Sequence, residues 1–202
     1  MKFTANTTDL AAVLAKCAAI TPGRSPLPIL SNVLLCAENG QVKVKSTDLD
    51  LLLAASIEAD VDEEGAITLP AKRLAAIVKE MPSETVTITL DGQNAKLVSG
   101  KSRVTLNGLS AEEFPVLDDD GEGRVISMHG SELTGVIRRI AFAASTDESR
   151  YILNGVLLEF KEGDFKAVAT DGKRLAVESL SSEGLEGEDF AKIIPNKAIH
   201  AI

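Results

Sequence analysis

The sequence has few of the residues that carry catalysis, metal binding or base stacking. It contains no Trp, one Tyr and six Phe. Because single strands of nucleic acid bind by stacking on aromatic side chains, that mode of binding is disfavoured. His129, His200, Cys17 and Cys36 match no metal-ligand or redox spacing. We therefore expect no cofactor, no metal site and no catalytic residue, and we expect both cysteines to be reduced and buried in the core.

Long apolar runs and an export signal are also lacking. No segment approaches the length of a membrane span, and no apolar stretch follows Lys2 at the N-terminus. The expected location is the cytoplasm, without a membrane partner. Since 45% of the residues are hydrophobic, the chain can bury a substantial core.

What the chain does contain is an internal repeat. Residues 29–52 and 152–175 align at an offset of 123 without a gap, and ten of the 24 positions are identical. Chance would give roughly two identities at this composition. The repeat predicts one domain over residues 1–122 and a second over 123–202, with an acidic, glycine-bearing linker at 117–123. Because Ile202 aligns with Ile77, we expect the second domain to be truncated.

Helical spacing of apolar residues predicts four helices, at about 8–20, 70–81, 131–144 and 195–202. Thr7 or Thr8 is the expected cap of the first helix. Strand-like runs fill the intervals, and Asn39-Gly40 and Asp91-Gly92 are typical of hairpin turns. The predicted order is β-α-β-β-β twice in the first domain, repeated in the second as far as the sequence extends. The fold class is therefore α+β with mostly antiparallel sheet.

The positive charge of this acidic chain is concentrated in the predicted helices. They carry a net charge of +4, whereas the whole chain carries -9 and the remainder therefore -13. Helices on one side of the molecule would form a basic face suited to a phosphate backbone without sequence preference. The alternative is that these residues are ordinary solvated polar faces. The basic residues concerned are Lys16, Lys72, Arg73, Lys79, Arg138, Arg139 and Lys197.

Asp48 and Asp50 are the strongest catalytic candidates, because a carboxylate pair can hold the metal of a nuclease. The repeat argues against this role, since Asp48 recurs as Asp171 but Asp50 is replaced by Lys173. A site preserved in one copy alone is better interpreted as a turn in which Thr and Asp side chains bond the local backbone. A metal-dependent nuclease and a repeat scaffold without a nucleic acid partner remain the competing interpretations.

Six motifs, in register and in order, resemble the β subunit of bacterial DNA polymerase III, the DNA sliding clamp. They are MKFT at 1–4, G-R-x-x-L-P-I-L at 23–30, T-D-L-D at 47–50, A-x-x-F-P-x-L-D at 111–118, R-Y-x-L-N-G at 150–155 and A-T-D-G-x-R-L-A at 169–176.

The resemblance implies a non-catalytic ring protein that encircles duplex DNA and confers processivity on the replicative polymerase. The family has three such domains in each protomer of a head-to-tail homodimer, with helices on the inner face and sheets outside. The third domain would be absent here, and we expect this chain not to close a ring. Its implied partners are double-stranded DNA and, through short linear motifs, the polymerase III alpha subunit, clamp-loader subunits, other polymerases and repair proteins.

The resemblance also implies site residues. Together with the charge analysis, it assigns DNA contacts to Arg24, Lys72, Arg73, Arg138, Arg139, Asp147, Tyr151, Ile152 and Lys197. Asp147 stands at a position that can be uncharged in relatives, and Ile152 stands where some have a second tyrosine. The partner-peptide cleft would consist of Leu153, Thr170, Gly172, Lys173, Arg174 and Leu175. The copy in the first domain, which has Asp50 and Leu51 in place of Lys173 and Arg174, should not bind the same peptide.

Overall fold

The computed structural model describes residues 1–22, 26–115, 127–147, 149–181 and 188–199. The chain divides into two compact units, Met1–Asp118 and Asp119–Ile202. Within the described residues, no helix is both long enough and apolar enough to cross a membrane.

Unit 1 has the predicted β-α-β-β-β order, and the order occurs twice. Its elements are β1 (Lys2–Asn6), α1 (Thr7–Ile20), β2 (Asn32–Glu38), β3 (Gln41–Thr47), β4 (Leu52–Glu63), β5 (Gly65–Pro70), α2 (Ala71–Lys79), β6 (Thr85–Asp91), β7 (Asn94–Ser99) and β8 (Ser102–Asn107). The prediction of an α+β fold with antiparallel hairpins is confirmed.

The two hairpin turns predicted in unit 1 are confirmed. Glu38 pairs with Gln41, so Asn39 and Gly40 form a two-residue loop in which φ is positive at both positions. Asn and Gly tolerate that conformation better than other residues, which is why this dipeptide sets the register of β2 against β3. Gly92 takes the same conformation between β6 and β7.

The eight strands of unit 1 form one antiparallel sheet in the order β5-β2-β3-β4-β1-β6-β7-β8. Beyond β8 the chain returns to β5, where the Thr68 and Leu109 amides each donate to the other's carbonyl, at 3.1 and 3.0 Å. Gly108 permits this approach, because a Cβ there would lie 2.4 Å from the Thr68 carbonyl oxygen. The predicted strand at 103–109 therefore ends at Asn107.

The core of unit 1 lies between the helices and one face of the sheet. Leu10, Leu14 and Cys17 of α1 are buried with Leu74 of α2 against alternate strand residues such as Leu35. Cys17 is in the core as expected, whereas Cys36 is half-buried, because it lies on the other face of β2. The predicted Thr cap of α1 is wrong. The Asn6 side chain accepts from the Thr8 and Asp9 amides, while the Thr7 hydroxyl donates to Ser83.

Unit 2 repeats part of this plan. Its elements are α3 (Gly130–Ile140), β9 (Gly155–Lys161), β10 (Asp164–Thr170), β11 (Leu175–Ser181), β12 (Phe190–Pro195) and α4 (Asn196–Ile199), and its sheet order is β11-β10-β9-β12. The helix predicted at 131–144 is too long, since a 3₁₀ turn at Ala141–Ala143 follows Ile140. Residues 200–202 of the fourth predicted helix lie outside the described residues.

The core of unit 2 forms where α3 packs on its sheet. Phe160 and Phe165 pair across β9 and β10, and both are buried with Val136 and Ile140 of α3. Ile199 of α4 joins the same cluster. The loop before β9 and the turn before β11 are thereby held at one end of a packed sheet.

Candidate functional site

The turn between β10 and β11 is held by its own Thr and Asp side chains. The Thr170 hydroxyl donates to the Arg174 carbonyl at 2.7 Å and accepts from the Gly172 amide at 3.1 Å. The Asp171 carboxylate accepts from the Lys173 and Arg174 amides at 2.9 and 3.0 Å. Gly172 has a φ of +86°, a conformation in which glycine avoids the steric cost of a side chain.

The first repeat forms the same turn with the same bonds. The Thr47 hydroxyl donates to the Leu51 carbonyl at 2.7 Å and accepts from the Leu49 amide at 2.9 Å. The Asp48 carboxylate accepts from the Asp50 and Leu51 amides at 3.2 and 2.9 Å. The interpretation of Thr47-Asp48 as a turn is therefore confirmed.

Arg174 is held in place from two sides. Its Nε donates to Asp171 Oδ2 at 3.0 Å, and its guanidinium lies 5.5 Å from the centroid of the Phe142 ring. The backbone amides of Lys173 and Arg174, with the Arg174 side chain, hold the pKa of the Asp171 carboxyl below its usual value. Asp171 therefore stays ionised, and keeps its bond to Arg174, at more acidic pH than an ordinary aspartate would.

The loop before β9 approaches this turn. Arg150 Nη1 donates to the Asp171 carbonyl at 3.3 Å. A Cβ at Gly172 would lie 3.7 Å from Arg150 Nη1 and 4.0 Å from Leu153 Cδ1. Gly172, Leu153 and Arg150 are therefore neighbours, on a turn that also carries Thr170, Lys173 and Arg174.

An aliphatic surface of exposed and half-buried residues extends from this turn across the sheet. Leu175 is 66% exposed and Val177 is 50% exposed. Val177 pairs with Val168, Val168 with Leu157, and Leu157 with Ile193, so these four residues cross all four strands. Residues next to them along each strand pack into the core. Because successive side chains of a strand point to opposite faces, this row lies on the outer face of the sheet. We call the four residues the outer row.

The basic residues of the helices are exposed, as a role in binding phosphates requires. Lys72 and Arg73 lie on the face of α2 opposite its buried Leu74 and Val78. Arg138 and Arg139 occupy the last turn of α3, where a cation interacts favourably with the helix dipole. Lys197 on α4 is exposed as well.

Arg139 has a partner of opposite charge. Its Nε donates to Glu178 Oε1 on β11 at 2.8 Å, and Glu178 is the more buried of the two side chains. The net charge of +4 on the predicted helices omits Glu178, because Glu178 lies on a strand. A phosphate group that contacts Arg139 must therefore compete with a carboxylate.

The loop residues assigned to DNA differ in their surroundings. Tyr151 is 82% exposed and Ile152 is 71% exposed, so neither side chain is part of the core. The Asp147 carboxylate accepts from Ser149 Oγ and from the Ser149 amide, which lower its pKa, and it lies 3.6 Å from Arg150 Nε. Asp147 therefore orders the loop. Arg24 lies outside the described residues.

Sequence reasoning missed Phe142, Arg150, Glu178 and the outer row. Arg150 lies within a motif already noted, and the alternation of β9 to β11 carried the signal for most of the outer row. Phe142 and Glu178 gave no local signal, because each meets its partner across more than thirty residues of chain.

The turns, the sheets and the helices define a clamp-type protein, and solved structures of sliding clamps are similar to it. Examples are the DNA polymerase III subunit beta from Pseudomonas aeruginosa (36% identity, TM-score 0.88) and the sliding clamp from Bacillus subtilis (28%, 0.87), with each alignment covering 100% of this chain and 55% of the other. A P. aeruginosa clamp bound to griselimycin gives a TM-score of 0.89 at 35% identity.

Sequence comparison leads to the particular family. Residues 1–118 match the N-terminal domain, and residues 127–202 the central domain, of the DNA polymerase III beta subunit. Beta sliding clamps of P. aeruginosa and Caulobacter vibrioides are 36% and 37% identical over 98% of this chain. The chain belongs to the DNA polymerase III beta subunit family. It spans about half the length (55%) of these relatives.

Proposed function

We propose that this chain acts in a DNA sliding clamp. It contributes to a head-to-tail ring that holds duplex DNA without sequence preference and docks polymerases, clamp-loader subunits and repair proteins by short linear motifs. It does so without catalysing a reaction itself. The two domain-length units are proposed as its first and second clamp domains.

The observation that carries this proposal is the surface around the turn Thr170–Leu175. Exposed Leu175 and the outer row offer apolar area for leucine and phenylalanine side chains of a partner. Arg174, fixed between Asp171 and Phe142, offers a positioned donor beside that area. Apolar anchors with a few fixed polar groups are what specific peptide sites require.

The DNA contacts are proposed for Lys72, Arg73, Arg138, Arg139 and Lys197 as phosphate ligands. Tyr151 and Ile152 are proposed as exposed loop contacts, Asp147 as the residue that orders their loop, and Arg24 as a further contact. Phosphate contacts supply affinity and salt dependence without a sequence code. A repeat scaffold without a nucleic acid partner would show no salt-sensitive association with DNA.

The test is a titration of the chain with a Gln-Leu-x-Leu-Phe-type peptide. Leu175→Ala should weaken binding about tenfold or more, since burying a leucine side chain contributes about 1.5 kcal/mol or more. The matched control is Leu52→Ala, the same change at the corresponding position of unit 1, which should leave the affinity unchanged. A greater loss from Leu52→Ala than from Leu175→Ala would contradict the proposed site.

A further inference from the structure

Unit 1 has a leucine where unit 2 has the glycine of the turn. Leu49 and Gly172 occupy the same position of two turns with the same hydrogen bonds, and their φ angles are +82° and +86°. A positive φ is costly for leucine and is avoided by most L-residues. The side chain of Leu49 is therefore present at a position where the backbone favours glycine.

In unit 2 the atoms that would surround a side chain at Gly172 are those of Leu153 and Arg150. A Cβ at Gly172 would be in ordinary contact with Leu153 and Arg150, so it would fit, and a longer aliphatic side chain would extend over those residues. Leu153 is half-buried in unit 2. Its counterpart in unit 1, Leu30, is 4% exposed.

The residue types at the neighbouring positions can account for the lower exposure of Leu30 than of Leu153. Leu27 of unit 1 stands where unit 2 has Arg150, so the position that borders the glycine in unit 2 holds an aliphatic rather than a charged residue in unit 1. Two leucine side chains at these positions can pack on Leu30 and remove it from water. In unit 2 an arginine and a glycine leave Leu153 accessible.

We infer that Leu49 closes the unit 1 copy of the peptide site with its own side chain, and that Gly172 keeps the unit 2 copy open. Gly172 is then a residue that decides which repeat accepts an apolar peptide. This inference rests on the proposed function, since it concerns the specificity of the same site.

The experiment compares Gly172→Leu with Gly172→Ala in the full chain, using the Gln-Leu-x-Leu-Phe-type peptide. Both variants must hold a side chain at positive φ, so they share the backbone cost, and only leucine can cover Leu153. Leu49 shows that this turn accommodates a leucine. The leucine variant should bind the peptide about tenfold more weakly than the alanine variant. Equal affinities of the two variants would overturn the inference.

A second measurement does not depend on peptide binding. A dissolved paramagnetic probe should broaden the Leu153 methyl signals less in Gly172→Leu than in Gly172→Ala. It should broaden the Leu30 methyl signals more in Leu49→Gly than in the unchanged chain. Unchanged methyl accessibility in these variants would overturn the inference even if peptide binds. Failure of the unchanged chain to bind peptide, with the accessibility changes present, would instead count against the proposed function.

Discussion

The turns at 47–52 and 170–175 have the same hydrogen bonds but different surroundings. In unit 1 the turn carries Leu49, Asp50 and Leu51, and Thr47 within it is fully buried. In unit 2 the corresponding residues are Gly172, Lys173 and Arg174, and the turn is exposed to solvent apart from half-buried Thr170 and Asp171. The Thr and Asp side chains thus build the turn in both units, and the two turns differ in the residues that follow the Asp.

The outer face of the unit 1 sheet is also less continuously apolar than that of the unit 2 sheet. The positions that match the outer row in unit 1 are Ala54, Lys45, Leu34 and Thr68, paired across β4, β3, β2 and β5. A lysine and a small residue interrupt the apolar surface there, and Thr68 is covered where the chain returns to β5. The second repeat therefore presents a continuous aliphatic row that the first repeat lacks.

The largest difference between the units should appear when a core leucine is truncated, as a loss in the free energy of unfolding. Leu35 is fully buried, whereas its counterpart Leu158 is partly buried. Leu35→Ala should lower the free energy of unfolding of unit 1 by about 2–5 kcal/mol, and Leu158→Ala should cost unit 2 less. Hydrogen exchange of the β3 and β10 amides reports each unit separately. An equal or larger loss in Leu158→Ala would mean that the two cores are packed alike.

The two threonines give a smaller contrast. Thr47→Val removes a fully buried hydroxyl from the Leu51 carbonyl and the Leu49 amide in a part-buried turn, which should cost about 1–3 kcal/mol. Thr170→Val removes the same two bonds where water can replace them, and about 0.5–1.5 kcal/mol should be lost. Hydrogen exchange of the same amides measures the loss of unfolding free energy in each unit. A greater loss in Thr170→Val than in Thr47→Val would contradict the argument from burial.

The smallest effect concerns the Arg139–Glu178 pair. In unit 1 the matching residues are Lys16 and Ala55, so that repeat has an alanine at the position of the acid. Glu178→Gln should free Arg139 and strengthen association with duplex DNA about two- to fivefold at low salt, since an exposed ion pair contributes about 0.3–1 kcal/mol. The gain should shrink as salt screens the charges.

The control for this change is Glu159→Gln, which alters the net charge equally at a strand residue whose alternation places it away from α3. Equal strengthening by both variants would show that the total charge, rather than the release of Arg139, is responsible.

Much of the fold could be predicted because local chemistry specifies it. Asn39-Gly40 favours a two-residue hairpin, and Thr47-Asp48 forms the same turn as its repeat copy Thr170-Asp171. The cap at Asn6 was missed because Thr7 is an equally good cap by type, and its hydroxyl is instead used by the Ser83 carbonyl. The contacts of Phe142 and Glu178 depend on how a helix lies on a distant strand. No pattern along the chain encodes that arrangement, so the site was predicted by resemblance and its supporting residues were not.

The return of the chain to β5 has a consequence for aggregation. An unpaired strand edge is a template for strands of other molecules, and β5 would present one to solvent if Leu109 did not bridge to Thr68. A single residue without a side chain, Gly108, permits that bridge. A methyl group at this position would separate the two backbones and leave β5 open to intermolecular pairing. A residue that contributes no side-chain contact thus helps to protect this edge of unit 1 from strand addition.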